Sequence, residues 1–505
     1  MKPVILVDDF GARGDGLTDN TAAVRAAIAA AKEKKEPCEL RFSPNGTYYF
    51  APSDDAALSI TDIDDCSVLG DNTTILCGGY RPYMYVHRTE NVRISGFNFD
   101  MKTRAHFVGT VVEVDKENLS AVFRSDRPIE MEDSLELNAA HVFALHETGN
   151  VLSRIFYFLH RYEWVDREEN LIRVYFGPDT LGTEWNVRNR LEKGVKLIIP
   201  TPHIGHMGIR SFTFTVDKNL TFENCRIWNA PYFVFGIWWQ SGTLLFKNVR
   251  VEPPIDETVD FVSWRDCFHC KTNPGRLVWD TCTVRGANDD IINLSANMMY
   301  VKKFYSPTEI ECYWRETHGG SYGNEEKYSS LVGQDVVIWN VETGKLVART
   351  QIADVVDAET NHYILKDPIA DQTTGEPVRI CIESHIGPGS EIVNCDFKGT
   401  LRLKCNHTVR NSRLYLLKMW IDYECYLEGP LAKNMLFENT DFFTNSEDED
   451  VYYITCYNAA QPMRTKDSYH IENVVFKHCR GLHKGNFYYK NNFVNGAADE
   501  ITIIG

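Results

Sequence analysis

The sequence has no apolar run long enough to cross a bilayer as a helix. Its densest stretch, Tyr232 to Trp239, contains a glycine and falls far short of the roughly 18 residues a span requires. Positive charge is also in deficit. Lys and Arg number 53 against 70 Asp and Glu, a net charge of −17, which excludes a surface built to follow DNA or RNA. With 43% apolar residues the chain is not disordered either. The fourteen cysteines are scattered from Cys38 to Cys479 and form no short secreted framework. Cys267 and Cys270 make one CxxC, but no second pair stands at zinc spacing, so neither a disulfide nor a structural zinc is expected. Gly14 and Gly16 lack the flanking lysine and third glycine of a phosphate loop. The N-terminal Met1 to Asp9 is too short and too soon acidic for a signal peptide, which predicts a cytoplasmic protein; a removed export signal would reverse that.

What the sequence does contain is a repeated phrase, apolar–x–Asn–x–x–apolar. It stands at Phe222 to Ile227, Phe246 to Val251, Val409 to Leu414 and Phe437 to Phe442, with stretched or shortened copies at Val278 to Val284, Val393 to Phe397 and Phe476 to Arg480. Ile94 to Phe99 is a looser early copy. Asn224 and Asn248 are 24 residues apart, and Asn411 and Asn439 are 28 apart. A short strand, a corner and another strand in each such step describe a coil of a parallel β-helix. Coils stack about 4.8 Å apart, so an asparagine at one corner can hydrogen-bond to the next. Cys225, Cys395 and Cys479 follow that corner and suit an inward-facing small residue. At the start, Val4 to Val7 reads as a strand and Ala22 to Lys34 as a capping helix behind Asp19-Asn20-Thr21.

The rhythm breaks twice. Residues 105–200 and 328–385 lack the phrase and carry polar-tipped alternating segments, which predict inserted antiparallel β-barrels. The expected fold class is all-β: a right-handed parallel β-helix with two inserted barrels and an N-terminal capping helix. Its divisions are residues 1–104 (cap and first coils), 105–200 (barrel), 201–327 (central coils), 328–385 (second barrel) and 386–505 (last coils).

On such a scaffold, acids one coil apart in sequence come side by side. Asp266 and Asp289 are 23 residues apart, flanking one copy of the phrase, and Asp290 adjoins the second. Three carboxyls so close cannot all ionise normally, and that division suits acid–base work on a glycosidic bond. Adjacent strand residues point to opposite faces, so Asp289 and Asp290 share a cleft only if the chain turns or bulges near Gly286. A solvated turn or a calcium site are the other readings of the cluster.

Phe10 to Thr21 (FGARGDGLTDNT) resembles the opening motif of pectin-degrading β-helix enzymes. Gly286 to Asn293 (GANDDIIN) is similar to the Asp-Asp motif of glycoside hydrolase family 28, the polygalacturonases. It resembles family 110, the α-1,3-galactosidases, more closely, as does Asp266 to His269. Leu427 to Pro430 is similar to a family 110 segment whose acid lies one position away. Leu294-Ser295-Ala296 departs from that family's Val-His-Gly, removing an expected histidine and altering sugar contacts more than acid–base machinery. The resemblance implies an inverting hydrolase, with Asp289 as acid and Asp266 and Asp290 holding the water. The residues themselves leave Asp289 and Asp290 interchangeable.

Candidate substrate contacts are His269, three residues after Asp266; Trp238 or Trp239 as an aromatic platform; Arg402 and Lys404, alternating on a later strand; Asp422 and Glu424 about one coil on; Glu428; and Arg210, near His203 and His206. The function expected is removal of a terminal α-linked galactose or related sugar from an oligosaccharide. No metal, cofactor, nucleic acid or membrane partner is expected, and insertions bordering a groove favour exo action or a homo-oligomer. The alternatives are a polygalacturonase-like hydrolase or lyase on acidic polysaccharide, and a non-catalytic carbohydrate-binding β-helix.

Overall fold

In the computed structural model the described residues are 2–145, 149, 151–177, 182–202, 209–257, 259–313, 331–357, 360–421, 428–444, 452–455, 470–488 and 501–505. The repeated phrase folds as expected, into stacked coils whose strands pair in parallel and in register. One face runs through Met84–His87, Arg210–Thr215, Phe233–Trp238, Phe268–Lys271, Asp290–Ser306, Asp396–Arg402 and Arg413–Trp420. Another runs through Lys218–Ile227, Ser241–Val251, Arg276–Asp280, Glu391–Val393 and Thr408–Arg410.

The corner residue explains the phrase. Asn224, Asn248, Asn394, Asn411 and Asn439 all have φ between 50° and 56°, and Thr281 (58°) and His478 (54°) take the same conformation in their copies. Asparagine tolerates this left-handed region better than other side chains, and its amide then reaches the coil before. Asn248 Nδ2 donates to Asn224 Oδ1 at 2.9 Å. In the looser copy the corner falls on Gly96 (φ 85°), where a Cβ would lie 2.4 Å from the Gly70 carbonyl oxygen. Inside, identical positions stack: Phe212 on Phe235 at 4.6 Å and Phe235 on Phe268 at 4.9 Å, with their planes within 21° and 7° of parallel. Cys225 and Cys395 point into this core, and the twelve described cysteines are free.

Helix Thr21–Lys34 covers the first coils, burying Val24, Ala27, Ile28 and Ala31. Among the described residues no helix is long and apolar enough to span a membrane. Between Arg93–Met101 and Arg210–Thr215 the chain leaves the coil, and six antiparallel strands from His106–Asp115 to Lys196–Pro200 close into a barrel with its own core. Strand Lys218–Ile227 then pairs with Arg93–Met101, as though nothing intervened. A second ring of six antiparallel strands forms between Asp290–Ser306 and Gly375–Ile382. It begins at about Met298, well before residue 328. Strand Asp290–Ser306 crosses from the β-helix into the ring without a glycine or proline to mark the passage.

Candidate active site

Asp266 and Asp290 occupy equivalent register positions in successive coils, and Asp289 falls opposite Arg265, all where a turn leads into a strand of the same face. Gly286 makes the second turn possible: its φ is 79°, and a Cβ there would meet Val262 N at 2.9 Å. Asn288 pins it, its Nδ2 donating to Ser263 O at 2.9 Å and to Gly286 O at 3.2 Å. Asp289 therefore lies in the turn while Asp290 opens the strand, whose register slips between Asp290 and Ile292. This is how neighbouring aspartates come to share a site. One oxygen from each of Asp266, Asp289 and Asp290 lies within 4.8 Å of the others.

Each acid has a different companion. Arg265 Nη1 is 2.8 Å from Asp289, His269 Nδ1 is 2.6 Å from Asp266, and Arg402 Nε is 3.0 Å from Asp290. Exposure differs as well: the Asp289 side chain is 29% exposed, those of Asp266 and Asp290 only 3% and 2%. Burial pushes Asp289 up to about 6, with Arg265 opposing and Asp266 adding to the rise. Burial likewise pushes Asp290 well above the usual carboxylate range, against Arg402 and with help from Asp266 and Asp289. Burial acts on Asp266 too, but His269, Arg265 and Arg402 outweigh it and hold that carboxyl low. His269 is itself lowered by burial and by Lys271, so the neutral imidazole donates from Nδ1 to the Asp266 carboxylate. A cation in this cluster would compete with two guanidinium groups already seated on its ligands; the donor set fits protons better than calcium.

Beside the acids opens a cleft of about 240 Å³. Asp289, Asp290 and Arg402 form one side, and Lys398, Lys418 and Trp420 line it further on, with Val151 contributed by the inserted barrel. Lys418 Nζ lies 3.6 Å over the Trp420 ring. Asp260, also on the cleft, holds Lys398 at 2.8 Å.

Several expected contacts fall elsewhere. Trp239 sits at a positive-φ corner and packs against the second ring, edge-on to His385, so it is no sugar platform. Trp238 is covered by Arg210, whose guanidinium lies 4.5 Å over its ring; the bare face of Gly236 gives both room. Neither lines the cleft. Lys404 is wholly buried and off the cleft wall. Glu428 is buried and ion-paired with both Lys271 and Arg402, which leaves it no oxygen to offer a sugar. Asp422, Glu424, His203 and His206 lie outside the described residues.

Arg265, Lys271, Asn293, Ser295, Lys398, Lys418 and Trp420 also surround the acids or the cleft, and no motif in the sequence marks them as site residues. A signal for some of them was present. His269-x-Lys271, Asn293-x-Ser295 and Arg402-x-Lys404 alternate polar residues on successive strands, and the register sets His269, Asn293, Arg402 and Trp420 in one outward row.

The family model for rhamnogalacturonase A/epimerase, pectate lyase-like, matches residues 4–56, the cap and first coils. Comparison with curated proteins gives no match. Among solved structures, the chain is similar to the Agl-KA catalytic domain (9% identity, 99% of this chain and 68% of that one, TM-score 0.38). It is also similar to the A-module of the Azotobacter vinelandii mannuronan C-5 epimerase AlgE6 (11%, 99% and 98%, 0.37) and to an exopolygalacturonase from Thermotoga maritima (12%, 100% and 94%, 0.33). The stacked, parallel-paired coils are those of a parallel β-helix, and the family match is confined to residues 4–56. Likenesses this remote do not bear on which reaction the site performs.

Proposed function

We propose that the chain is an exo-acting glycoside hydrolase that removes a terminal α-linked galactose or related sugar from oligosaccharides, in the manner of family 110. The observation that carries the reading is the division among the three aspartates: one carboxyl open to the cleft with a raised affinity for its proton, two buried beside it. Asp289 gives its proton to the leaving oxygen as the C–O bond breaks. A water held between Asp266 and Asp290 loses a proton to Asp266, the carboxyl held low, and attacks the anomeric carbon.

Because Asp266 and Asp290 are almost fully covered, neither reaches an anomeric carbon as a nucleophile, whereas a water can be held between them. Inversion is therefore the expected outcome. The oxygens lie closer together than the roughly 6.5–9.5 Å common between acid and base in inverting enzymes, so product configuration is the informative measurement. Proton NMR of a panel of nitrophenyl glycosides and defined oligosaccharides should show one monosaccharide released with inverted configuration. Asp289→Asn should cut turnover by about 10²–10⁴-fold. Retained configuration would make an aspartate the nucleophile, and sugar binding without turnover on any glycan would sink the hydrolase reading.

A second reading has its own support. Lys398, Arg402 and Lys418 all line the cleft, a setting suited to an acidic sugar. Turnover confined to uronic-acid oligosaccharides, or an unsaturated product, would select it.

A further inference from the structure

Behind the cleft wall that Asp290 and Arg402 form runs a chain of buried charges. Lys271 uses all three of its N–H groups: Nζ donates to Asn293 Oδ1 at 2.9 Å, to Ser295 Oγ at 2.6 Å and to Glu428 Oε1. Asn293 Nδ2 also lies 3.3 Å from Glu428 Oε1. The other Glu428 oxygen accepts from Arg402 Nη1, and the Nε of that same guanidinium lies 3.0 Å from Asp290. Lys271, Asn293, Ser295, Arg402, Glu428 and Asp290 are all buried. Glu428 is brought in from far along the chain, on a two-residue strand laid antiparallel against Ala296 and Asn297.

We propose that Lys271 and Glu428 are positioning residues that set, through Arg402, how firmly Asp290 is held as an anion and hence which carboxyl of the Asp289–Asp290 pair keeps a proton. The inference rests on the hydrolase reading, since it names what prepares that site's acid.

The charges make the case. Lys271, Arg402 and Arg265 supply three positive charges to this buried cluster; Asp266, Asp289, Asp290 and Glu428 offer four carboxyls, and His269 is neutral. One proton is needed to balance them. Arg402 and Lys271 hold Glu428 well below the usual carboxylate range despite its burial, and His269 with Arg265 lowers Asp266. The proton is left to Asp289 and Asp290. Other charged or titratable groups near the pair are Tyr232, which faces Asp289 from an earlier coil, and Asp260, Lys398 and Lys418, which line the same cleft; Arg210, from the coil before Tyr232, faces Asp266. Asp260 and Lys398 pair with each other. Lys271 acts at one remove: without it, Glu428 draws on Arg402 alone and Asp290 loses part of its counter-charge. A purely structural contact at this place would be served as well by hydrocarbon of the same volume.

The test uses Lys271→Met, the double variant Lys271→Met/Glu428→Gln and the conservative Lys271→Arg. Two readouts are taken: the pH–rate profile on the turned-over glycoside, and the pH titration of ¹³C-labelled aspartate carboxyls in the free protein. Removing the lysine charge should move the alkaline limb and the carboxyl titration upward by about one pH unit, the size expected of a unit charge a few ångströms away. Removing Glu428 as well should bring both back down, and Lys271→Arg should stay near the parent. A titration that Lys271→Met leaves in place, or that the second substitution fails to return, overturns the proposal. Carboxyl titrations that move as described in a protein that cleaves no glycan would uphold the coupling and bring down the hydrolase reading instead. Folding of each variant is checked by thermal melting, and should Lys271→Met not fold, Lys271→Gln takes its place.

Discussion

Asp217 shows what burial does to one carboxyl away from the cleft. It is fully buried, with Oδ1 accepting from Thr89 N at 3.1 Å and from Thr89 Oγ1 at 3.0 Å, and Oδ2 from Gln240 Nε2 at 3.1 Å. Burial nevertheless pushes it up to about 6, beyond what these bonds return. The folded protein thus binds this proton more tightly than the unfolded chain does. Stability is greatest below the ordinary aspartate range, falls as pH rises from about 4 to about 6, and is flat above. Asp217→Asn should therefore raise stability by up to about 3 kcal/mol at pH 8 and leave it almost unchanged at pH 4, as read by melting at both pH values. The neighbouring Gln240 Oε1 is buried without a partner, so a turned Gln240 can accept from the new amide. The acids of the cleft follow the same physics to a different end. As the proposed acid, Asp289 would have to be protonated to act, so turnover should decline as pH passes upward through about 6. Arg265 and Arg402 already neutralise the cluster, so EDTA should change neither turnover nor melting temperature; loss of either would restore the calcium reading.

Among elements, the coil corner is where sequence and backbone meet most directly. Asn248 is exposed, yet its φ of 52° and its bond to Asn224 make it hard to replace. Asn248→Val should cost about 1–2 kcal/mol or more in chemical denaturation, and Asn248→Gly distinctly less, because glycine enters the left-handed region freely. Equal losses in the two variants would mean that the amide ladder, not the backbone, matters there. The corner phrase was legible in the sequence because its cause is local. The turn at Gly286 to Asp290 was legible for the same reason: glycine, asparagine and the acids are all within one segment. Strand Asp290–Ser306 was not. Its alternation of apolar residues is equally good for a β-helix and for a barrel, and only its partners decide where one ends and the other begins.

For the whole molecule, the partition of the core has a consequence. The β-helix has one continuous interior, while the first barrel keeps a separate core built on residues such as Phe107, Phe123, Tyr162 and Ile172. Unfolding should not be a single step. Calorimetry should resolve at least two transitions, with a calorimetric enthalpy above the van't Hoff value; one coincident transition by every probe would show the two cores to be coupled. The same partition separates what could be read from the chain from what could not. Composition, the repeated corner and the one-coil spacing of Asp266 from the Asp289–Asp290 pair determined the coil architecture and the gathering of the three aspartates, because each depends on residues within one or two coils. Tertiary structure decided which side chains surround those acids. Glu428 reaches Lys271, and Lys398 reaches Asp260, across more than a hundred intervening residues, and Trp420 replaces Trp238 and Trp239 as the aromatic wall. Such neighbours are fixed by the register of stacked coils and by where two insertions leave and rejoin them. No local pattern records that information, since a shift of a single coil would leave every segment's own preferences satisfied.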